Sequence, residues 1–346
     1  MTIKPVDFSL TNLIKTEIDS KTKPLGSLGK IEDLALKLGL IYKTTRPVIS
    51  SPTLFLCAGD HGITESGVSA YPAEVTAQML LNFANGGAAI NILASACGIN
   101  LEFVNAGVDM SELDKRQFFN RPIANGTKNF AQSPAMTASE CESAINLGKE
   151  RVFECVSKGT NFTLLGEMGI GNTSSAAIIT SLITGAPLHQ CVGRGTGLDE
   201  PGLQNKRDVL SGAVVFHGDI KDPLKILQIF GGLEIAALVG VILASAEIGF
   251  PILLDGYITT SAALIAVAME PNVAEYLIYS HLSREPGHRI ALDHLRGTQI
   301  LSLDLCLGEG SGAALAFPIV KAASKILCEM ATFESAAVST AKSEAQ

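Results

Sequence analysis

Two acidic residues stand in glycine-rich turns just ahead of apparent helices, and their surroundings suit them for chemistry. The first is Glu167, in the segment FTLLGEMGIGNTSSAA that starts at Phe162. Phe162 to Leu165 is a short apolar run with no polar alternation, as expected of a strand covered on both faces. Gly166, Gly169 and Gly171 then let the backbone turn sharply and approach a ligand closely. Asn172, Thr173 or Ser174 can N-cap a helix that continues through Ala176, Ala177, Ile178 and Ile179. Free N–H groups and the positive end of the helix dipole would face the turn, which suits a phosphate. The competing reading is a tight strand-to-helix connection with no ligand. Glu167 weighs against that reading, since a carboxylate among exposed amides is expensive to bury without a task.

This turn matches neither common phosphate loop. A P-loop ends in Gly-Lys-Ser/Thr, and no lysine lies between Lys158 and Lys206. The dinucleotide fingerprint needs a third glycine where Ser174 stands and an acidic residue about 20 positions on, near Cys191. The second acidic motif is LGEGSGAALAFPIV from Leu307, where Glu309 lies between Gly308 and Gly310. Leu305, Cys306 and Leu307 precede it, and Ala313, Ala314 and Leu315 follow. Apolar surroundings raise a carboxyl pKa and fit a general base working near neutral pH. The alternative is that Glu309 only favours a helix N-terminus electrostatically.

Arg194 and Lys206 are the cations suited to serve the first turn. Arg194 and Gly195 belong to VGRGTGLDE, which has the form of an anion nest. Lys206 opens or continues the next helix through QNKRDVL, and with Arg207 it also reads as an ordinary solvated face. Among the six histidines, His61 in GDHG and His281 in SHLS fall on loops. The Asp60–His61 pair suggests a metal, yet no H-x3-H or H-E-x-x-H spacing completes a site, so satisfied structural histidines are the expectation. No G-x-S-x-G elbow supports a serine nucleophile.

Six segments read as the buried strands that must position these residues: Thr53–Ala58, Leu101–Ala106, Phe162–Leu165, Gln190–Val192, Pro251–Leu254 and Tyr276–Ser280. Helical stretches separate most of them, notably Pro72–Cys97, Thr137–Ser157, Gly202–His217, Leu233–Ile248 and Ser261–Met269. The expected fold is α/β, with a mostly parallel six-stranded sheet covered by helices on both faces. Ligands bind beyond the carboxyl ends of such strands. The polar loops AGDHG, NAGVD, GEMGIGNTS, VGRGTGLDE, DGYITTSA and SHLSREPGH all fall there. Outside this core, LGSLGKIEDLALKLGLIY suggests a packing helix through Ile31, Leu34, Leu36, Leu38, Leu40 and Ile41. Ser311 to Met330 reads as one long helix broken early by Pro318, and the tail from Ser335 as small and polar, prone to fray.

At 346 residues the chain exceeds one ordinary domain, and 47% hydrophobic against 17% charged residues provides for a sizeable core. A net charge of −8 and no basic run longer than two residues argue against nucleic acid or anionic membrane as partner. The seven cysteines are scattered and form no C-x-x-C pair, which points to buried thiols in a reducing compartment. The N-terminal MTIKPVDFSLTNL has no apolar core of signal-peptide type, and the run Ile235 to Ala246 is too short to span a bilayer. A cytoplasmic protein is expected.

Taken together, KPLGSLGKIEDLA, GDHGI followed by GVSAYPAEVTAQM, GEMGIGNTS, GRGTGLDE, LLDGYITTSAA, SREPGH and LGEGSGAALA resemble the nicotinate-nucleotide:dimethylbenzimidazole phosphoribosyltransferase (CobT) family of cobalamin biosynthesis. The motifs occur in order from about Lys23 to about Lys325. The resemblance implies a Rossmann-like large domain over 46–305, a small helical domain built from 1–45 and 306–346, and a homodimer. It implies transfer of the phosphoribosyl group of nicotinate mononucleotide to 5,6-dimethylbenzimidazole, giving α-ribazole 5′-phosphate and nicotinate, with no metal or organic cofactor. It puts the general base on Glu309. Ribose and phosphate contacts fall on Glu167, Gly169, Gly171, Asn172, Thr173, Ser174, Arg194, Gly195 and Lys206. The benzimidazole pocket falls on Ser69, Tyr71, Gln78 and Leu307. One departure is Leu282, where the family commonly has arginine, and this removes any contact such an arginine would make.

Two other classes share parts of this pattern. A nucleoside phosphorylase or ribosyl hydrolase uses similar phosphate and ribose loops but takes phosphate or water as acceptor. A non-catalytic nucleotide sensor keeps the anion loops and has no use for a base in an apolar setting.

Overall fold

Seven parallel strands carry the chain, and their sequences explain why they sit at its centre. They are β1 (Pro52–Gly59), β2 (Asn100–Gly107), β3 (Phe119–Asn120), β4 (Phe162–Met168), β5 (Ile252–Leu254), β6 (Leu277–His281) and β7 (Gln299–Leu301). A computed structural model describes residues 2–110 and 119–339. Every residue of β1, β5 and β6 is buried, as a sheet covered on both faces requires. The strand order is β3-β2-β1-β4-β5-β6-β7, and every pairing is parallel. Chain direction across the sheet therefore reverses between β1 and β4. In doubly wound sheets the crevice outside the carboxyl ends of the strands at that point is where ligands bind.

The helices are α1 (Thr11–Asp19), α2 (Lys30–Ile41), α3 (Val75–Ala84), α4 (Ala89–Cys97), α5 (Ala138–Ser157), α6 (Asn172–Thr184) and α7 (Leu188–Cys191). They continue with α8 (Glu200–His217), α9 (Pro223–Phe230), α10 (Leu233–Glu247), α11 (Tyr257–Met269), α12 (Pro286–His294) and α13 (Ser311–Glu329). Local signals set several starts. Thr137 and Glu140 form a reciprocal capping box on α5, and Asp199 and Asp222 cap α8 and α9 by accepting from Gly202 and Lys225. Helix α10 is apolar nearly all round and buried from Leu233 to Ala246, covered by α5, α11 and the sheet. Helices α5 and α10 touch main chain to main chain. A Cβ on Gly148 would collide with the Ala237 carbonyl, and one on Gly240 with that of Ile145.

The α/β architecture expected from the sequence is present, with differences in detail. Five of the six expected strands form, but Gln190–Val192 does not; Leu188–Cys191 is one helical turn instead. Pro187, with its fixed φ, opens that turn as its N-cap residue. Two short edge strands, β3 and β7, complete seven strands among the described residues; at two and three residues they are too short to show a period. The stretch expected as one helix over Pro72–Cys97 is two, because the chain turns at Gly86 with φ +76° before α4 starts. Helix α13 runs unbroken through Pro318, whose local cost of about 3 kcal/mol is outweighed by packing on α2, α4, β4 and β6.

Val75–Cys97 and Ser311–Glu329 are apolar and long enough by composition to cross a membrane. The first is broken between Ala84 and Ala89, and the second is packed inside the fold. Helix α2 packs on α13, and Lys21 bridges to Thr332, so the two ends of the chain meet. The expected tail from Ser335 is described only to residue 339; residues 340–346 lie outside the described residues.

Candidate active site

Glu309 and Glu167 lie on one cavity of about 970 Å³ at the carboxyl ends of the strands. Glu309 precedes α13 in a left-handed conformation, φ +64°, which a residue with a Cβ adopts only under constraint. Its amide donates to the Glu167 carbonyl oxygen at 3.2 Å. Its own carbonyl presses on Gly166, where a Cβ would come within 2.7 Å of that oxygen. The side chain belongs to a residue only 6% exposed, and Oε2 has no hydrogen-bond partner among the described residues. Burial pushes the Glu309 carboxyl above the ordinary carboxylate range, and the Ile90 amide offsets part of this.

Glu167 ends β4 and is 7% exposed. Burial, and next the charge of Asp255, push its carboxyl up to about 8; Asn172 Nδ2 donates to its Oε2 and opposes the shift. Gly171, at φ +97°, turns the chain into α6, so only a residue free of Cβ strain suits that place. A Cβ there would meet Thr64 at 2.8 Å, so the turn is also tightly packed. Lys206, on α8, is wholly buried and its Nζ donates to Thr173 Oγ1 at 2.7 Å. Burial lowers its ammonium to about 8, and Glu285 opposes that shift. Glu285 Oε1 accepts from the Gly195 amide at 3.0 Å, and burial raises the Glu285 carboxyl.

The structure brings most of the expected residues together. Glu167, Gly169, Asn172, Thr173, Arg194, Gly195, Tyr71, Leu307 and Glu309 all line the cavity. Gly171, Ser174 and Lys206 stand behind its wall: Gly171 shapes the turn, Ser174 is fully buried on α6, and Lys206 reaches Thr173 from beneath. Arg194 lines the cavity, but its guanidinium donates to the Leu198 carbonyl and pairs with Glu200, away from Lys206. Ser69 and Gln78 do not line it. Ser69 Oγ accepts from the Tyr71 amide at 3.2 Å and so shapes the approach to Tyr71. Gln78 faces solvent on α3, while Val75 and Met79 of the same helix turn inward. The face that α3 presents is set by its packing, and the spacing of polar residues alone gave no means of choosing Gln78 over Val75. Leu282 is half-buried against the apolar core.

Among the lining residues that the sequence reading did not single out are Asp255, Ser283, Arg284 and Glu285; Arg207, read with Lys206 as a solvated face, lines the cavity too. The first four follow β5 or β6, in polar loops the sequence marked, whereas Arg207 lies on α8; nothing in their spacing distinguished them from neighbours. His61 is a satisfied buried histidine, as expected. Its Nε2 lies 2.6 Å from Glu234 Oε1 and its Nδ1 3.2 Å from Ser175 Oγ, beneath the Gly169 turn. Among the described residues no group of three or more His, Cys, Asp or Glu side chains is arranged to hold a metal ion. All seven cysteines are unpaired, but only Cys57, Cys141, Cys155 and Cys191 are buried as expected; Cys97 and Cys328 are partly exposed and Cys306 is exposed at the cavity, because its loop forms the cavity wall.

A buried carboxylate with one unpartnered oxygen, an amide-rich glycine turn and a buried ammonium behind it, around one open cavity, can bind an anionic sugar phosphate and remove a proton beside it. Comparison with known proteins gives the same picture. A family model described as "Phosphoribosyltransferase" matches residues 3–338. A protein of Cupriavidus taiwanensis named nicotinate-nucleotide--dimethylbenzimidazole phosphoribosyltransferase is 50% identical over 98% of each chain. One of the same name from Chlorobaculum tepidum is 43% identical over 97% of this chain and 96% of that one. A crystal structure of CobT from Thermus thermophilus superposes with a TM-score of 0.92 at 41% identity, covering 96% of this chain and 99% of that chain. This chain belongs to that phosphoribosyltransferase family, the one whose model spans nearly all of it.

Proposed function

We propose that this enzyme moves the 5-phosphoribosyl group of nicotinate mononucleotide to 5,6-dimethylbenzimidazole, giving α-ribazole 5′-phosphate and nicotinate for the nucleotide loop of cobalamin. The observation that carries the reading is Glu309, a buried carboxylate with a raised pKa and a free oxygen on the same cavity as Thr173, which Lys206 holds from behind the wall. Nicotinate in the mononucleotide is a pyridinium bonded to ribose C1′, so it leaves with the bonding electron pair as a neutral ring nitrogen and needs no acid. The attacking benzimidazole nitrogen takes its place on C1′. The benzimidazole N–H proton then passes to Glu309, which is why one base of raised pKa suffices. The change from a β to an α bond is a single inversion through an oxocarbenium-like state.

The other residues take roles by position. The Gly169–Ser174 turn, Lys206, and Gly195 with Arg194 serve the ribose 5′-phosphate; Glu167 stands at the ribose. Tyr71 and Leu307, with Ser69 and Gln78 outside them, serve the benzimidazole side, where Val75 and Met79 supply apolar wall. The large domain spans 46–305 and the small helical one 1–45 with 306–346, supported by the packing of α2 on α13. The active form is a homodimer in the cytoplasm. Exposed Val215 and Phe216 on α8, and half-exposed Tyr71 and Leu307 at the cavity, support the dimer; the unpaired cysteines support the compartment.

Glu309→Gln tests the reading, since it keeps shape and removes basicity. Turnover falls by roughly 10²–10⁴ while mononucleotide binding survives. Near-normal turnover in that variant sinks the assignment, and equal product formation with phosphate or water as acceptor would instead favour a phosphorylase or hydrolase.

A further inference from the structure

Helix α13 starts directly after Glu309 without a cap of its own, because its N-cap residue, Gly310, has no side chain to accept from first-turn amides. Those amides need partners from elsewhere. They find them on another strand. Asp255, at the carboxyl end of β5 and 2% exposed, accepts from Gly310 N through Oδ2 at 3.1 Å and from Ala313 N through Oδ1 at 3.0 Å. Asp255 is itself held in place: Ser280 Oγ donates to its carbonyl oxygen at 3.0 Å, and His281 Nδ1 lies 4.0 Å from Oδ1.

The turn so braced is the strained one. Glu309 has φ +64°, and such a conformation persists only where its surroundings over-determine it. Glu309 N is tied to the Glu167 carbonyl and Glu309 O is pressed on Gly166, both through main chain. The bonds from Asp255 are the contribution of a side chain, and they fall on the residue after Glu309 and on the helix turn that anchors it.

We propose that Asp255 is a positioning residue: by holding Gly310 and Ala313 it keeps Glu309 in the left-handed turn that presents its carboxylate to the cavity. The proposal rests on the reading of Glu309 as the base. Asp255 acts on the base through geometry; its charge also raises Glu167 on the same cavity, and an effect by that route falls equally on the native and Glu309→Gln backgrounds.

The test is a double-mutant cycle of Asp255→Asn with Glu309→Gln, with kcat, both KM values and calorimetric mononucleotide affinity measured for each variant. The asparagine keeps the size of the side chain and a single acceptor oxygen. Alone it lowers kcat roughly 10- to 100-fold, the scale of a catalytic group displaced by a fraction of an ångström to one ångström. Mononucleotide affinity stays within about twofold, and in the Glu309→Gln background the residual rate falls less than about twofold further. Ser280→Ala loosens Asp255 while keeping its carboxylate, and it lowers kcat several-fold only when Glu309 is present; this arm decides the matter if Asp255→Asn folds poorly. Equal fold-losses in both backgrounds overturn the positioning role and leave the base in place. A loss confined to mononucleotide affinity also overturns it, by placing Asp255 on the ribose phosphate. Near-normal turnover of Glu309→Gln by itself overturns the base and this proposal with it.

Discussion

Lys206 Nζ donates to Thr173 Oγ1 at 2.7 Å, joining α8 to the first turn of α6 and bringing a buried ammonium up to the glycine turn. A phosphate seated on that turn gains a charge-assisted contact of roughly 1.5–3 kcal/mol. Lys206→Ala is expected to weaken nicotinate mononucleotide by about 10- to 100-fold and nicotinate riboside far less. Calorimetry with the two ligands checks this, and equal losses for both would move the phosphate elsewhere.

The same lysine gives a pH dependence. Burial holds its ammonium at about 8, below the ordinary lysine range. The charged form exists below that value, so attraction for the phosphate is present at neutral pH and lost as pH rises through about 8. Mononucleotide dissociation constants measured from pH 7 to pH 9 should rise across this window, and in Lys206→Ala the rise should vanish.

Turnover has the opposite sign at lower pH. Glu309 accepts a proton only when ionised, and burial raises its pKa, so kcat climbs as pH rises through that raised value. Glu309→Gln has no group to titrate there, and its residual rate should be flat over the same range. A rising limb that survives unchanged in Glu309→Gln assigns it to another group, of which Glu167, pushed up to about 8, is the first to examine.

On the acceptor side, Tyr71 is half-exposed at the rim and Val75 and Met79 lie beside it. A flat methylated bicycle binds such a wall mainly by apolar burial, at about 25 cal/mol per Å². Tyr71→Ala should raise the acceptor's KM and leave mononucleotide affinity nearly unchanged. Benzimidazole without its two methyl groups should still react, with a loss of about 1–3 kcal/mol in discrimination. Steady-state kinetics with each substrate varied in turn separate these outcomes; a defect of Tyr71→Ala confined to the mononucleotide would relocate the pocket.

Away from the site, Gly148→Ala sets a methyl group against the Ala237 carbonyl where α5 meets α10. Overpacking of this kind costs about 1–3 kcal/mol, and a rigid main-chain neighbour puts this case at the upper end. A melting temperature lower by several degrees is expected, with kcat per folded molecule unchanged because neither helix reaches the cavity. Loss of activity without loss of stability would show that this helix pair is coupled to the site.

The sequence by itself determined the fold class, because short apolar runs such as Thr53–Ala58 and Phe162–Leu165, alternating with long helical stretches, fit strands buried on both faces of a parallel sheet. It also pointed to loops that line the cavity, since parallel strands place their carboxyl ends at one edge, and it singled out Glu167, Glu309 and the Gly171 turn from their glycine-rich settings. Short elements were beyond it: two- and three-residue strands have no period, and Gln190–Val192 was apolar enough for a strand yet had no neighbour to pair with. Which side of a helix faces the cavity was also left open, so Gln78 looked as suitable as Val75. Tertiary structure decided the cap of α13. Gly310 cannot cap the helix, and no local spacing links it to Asp255; the two meet only because the sheet order sets β5 next to β4, under the turn that carries Glu309. Partners distant in sequence are fixed by packing, and packing is a property of the assembled sheet.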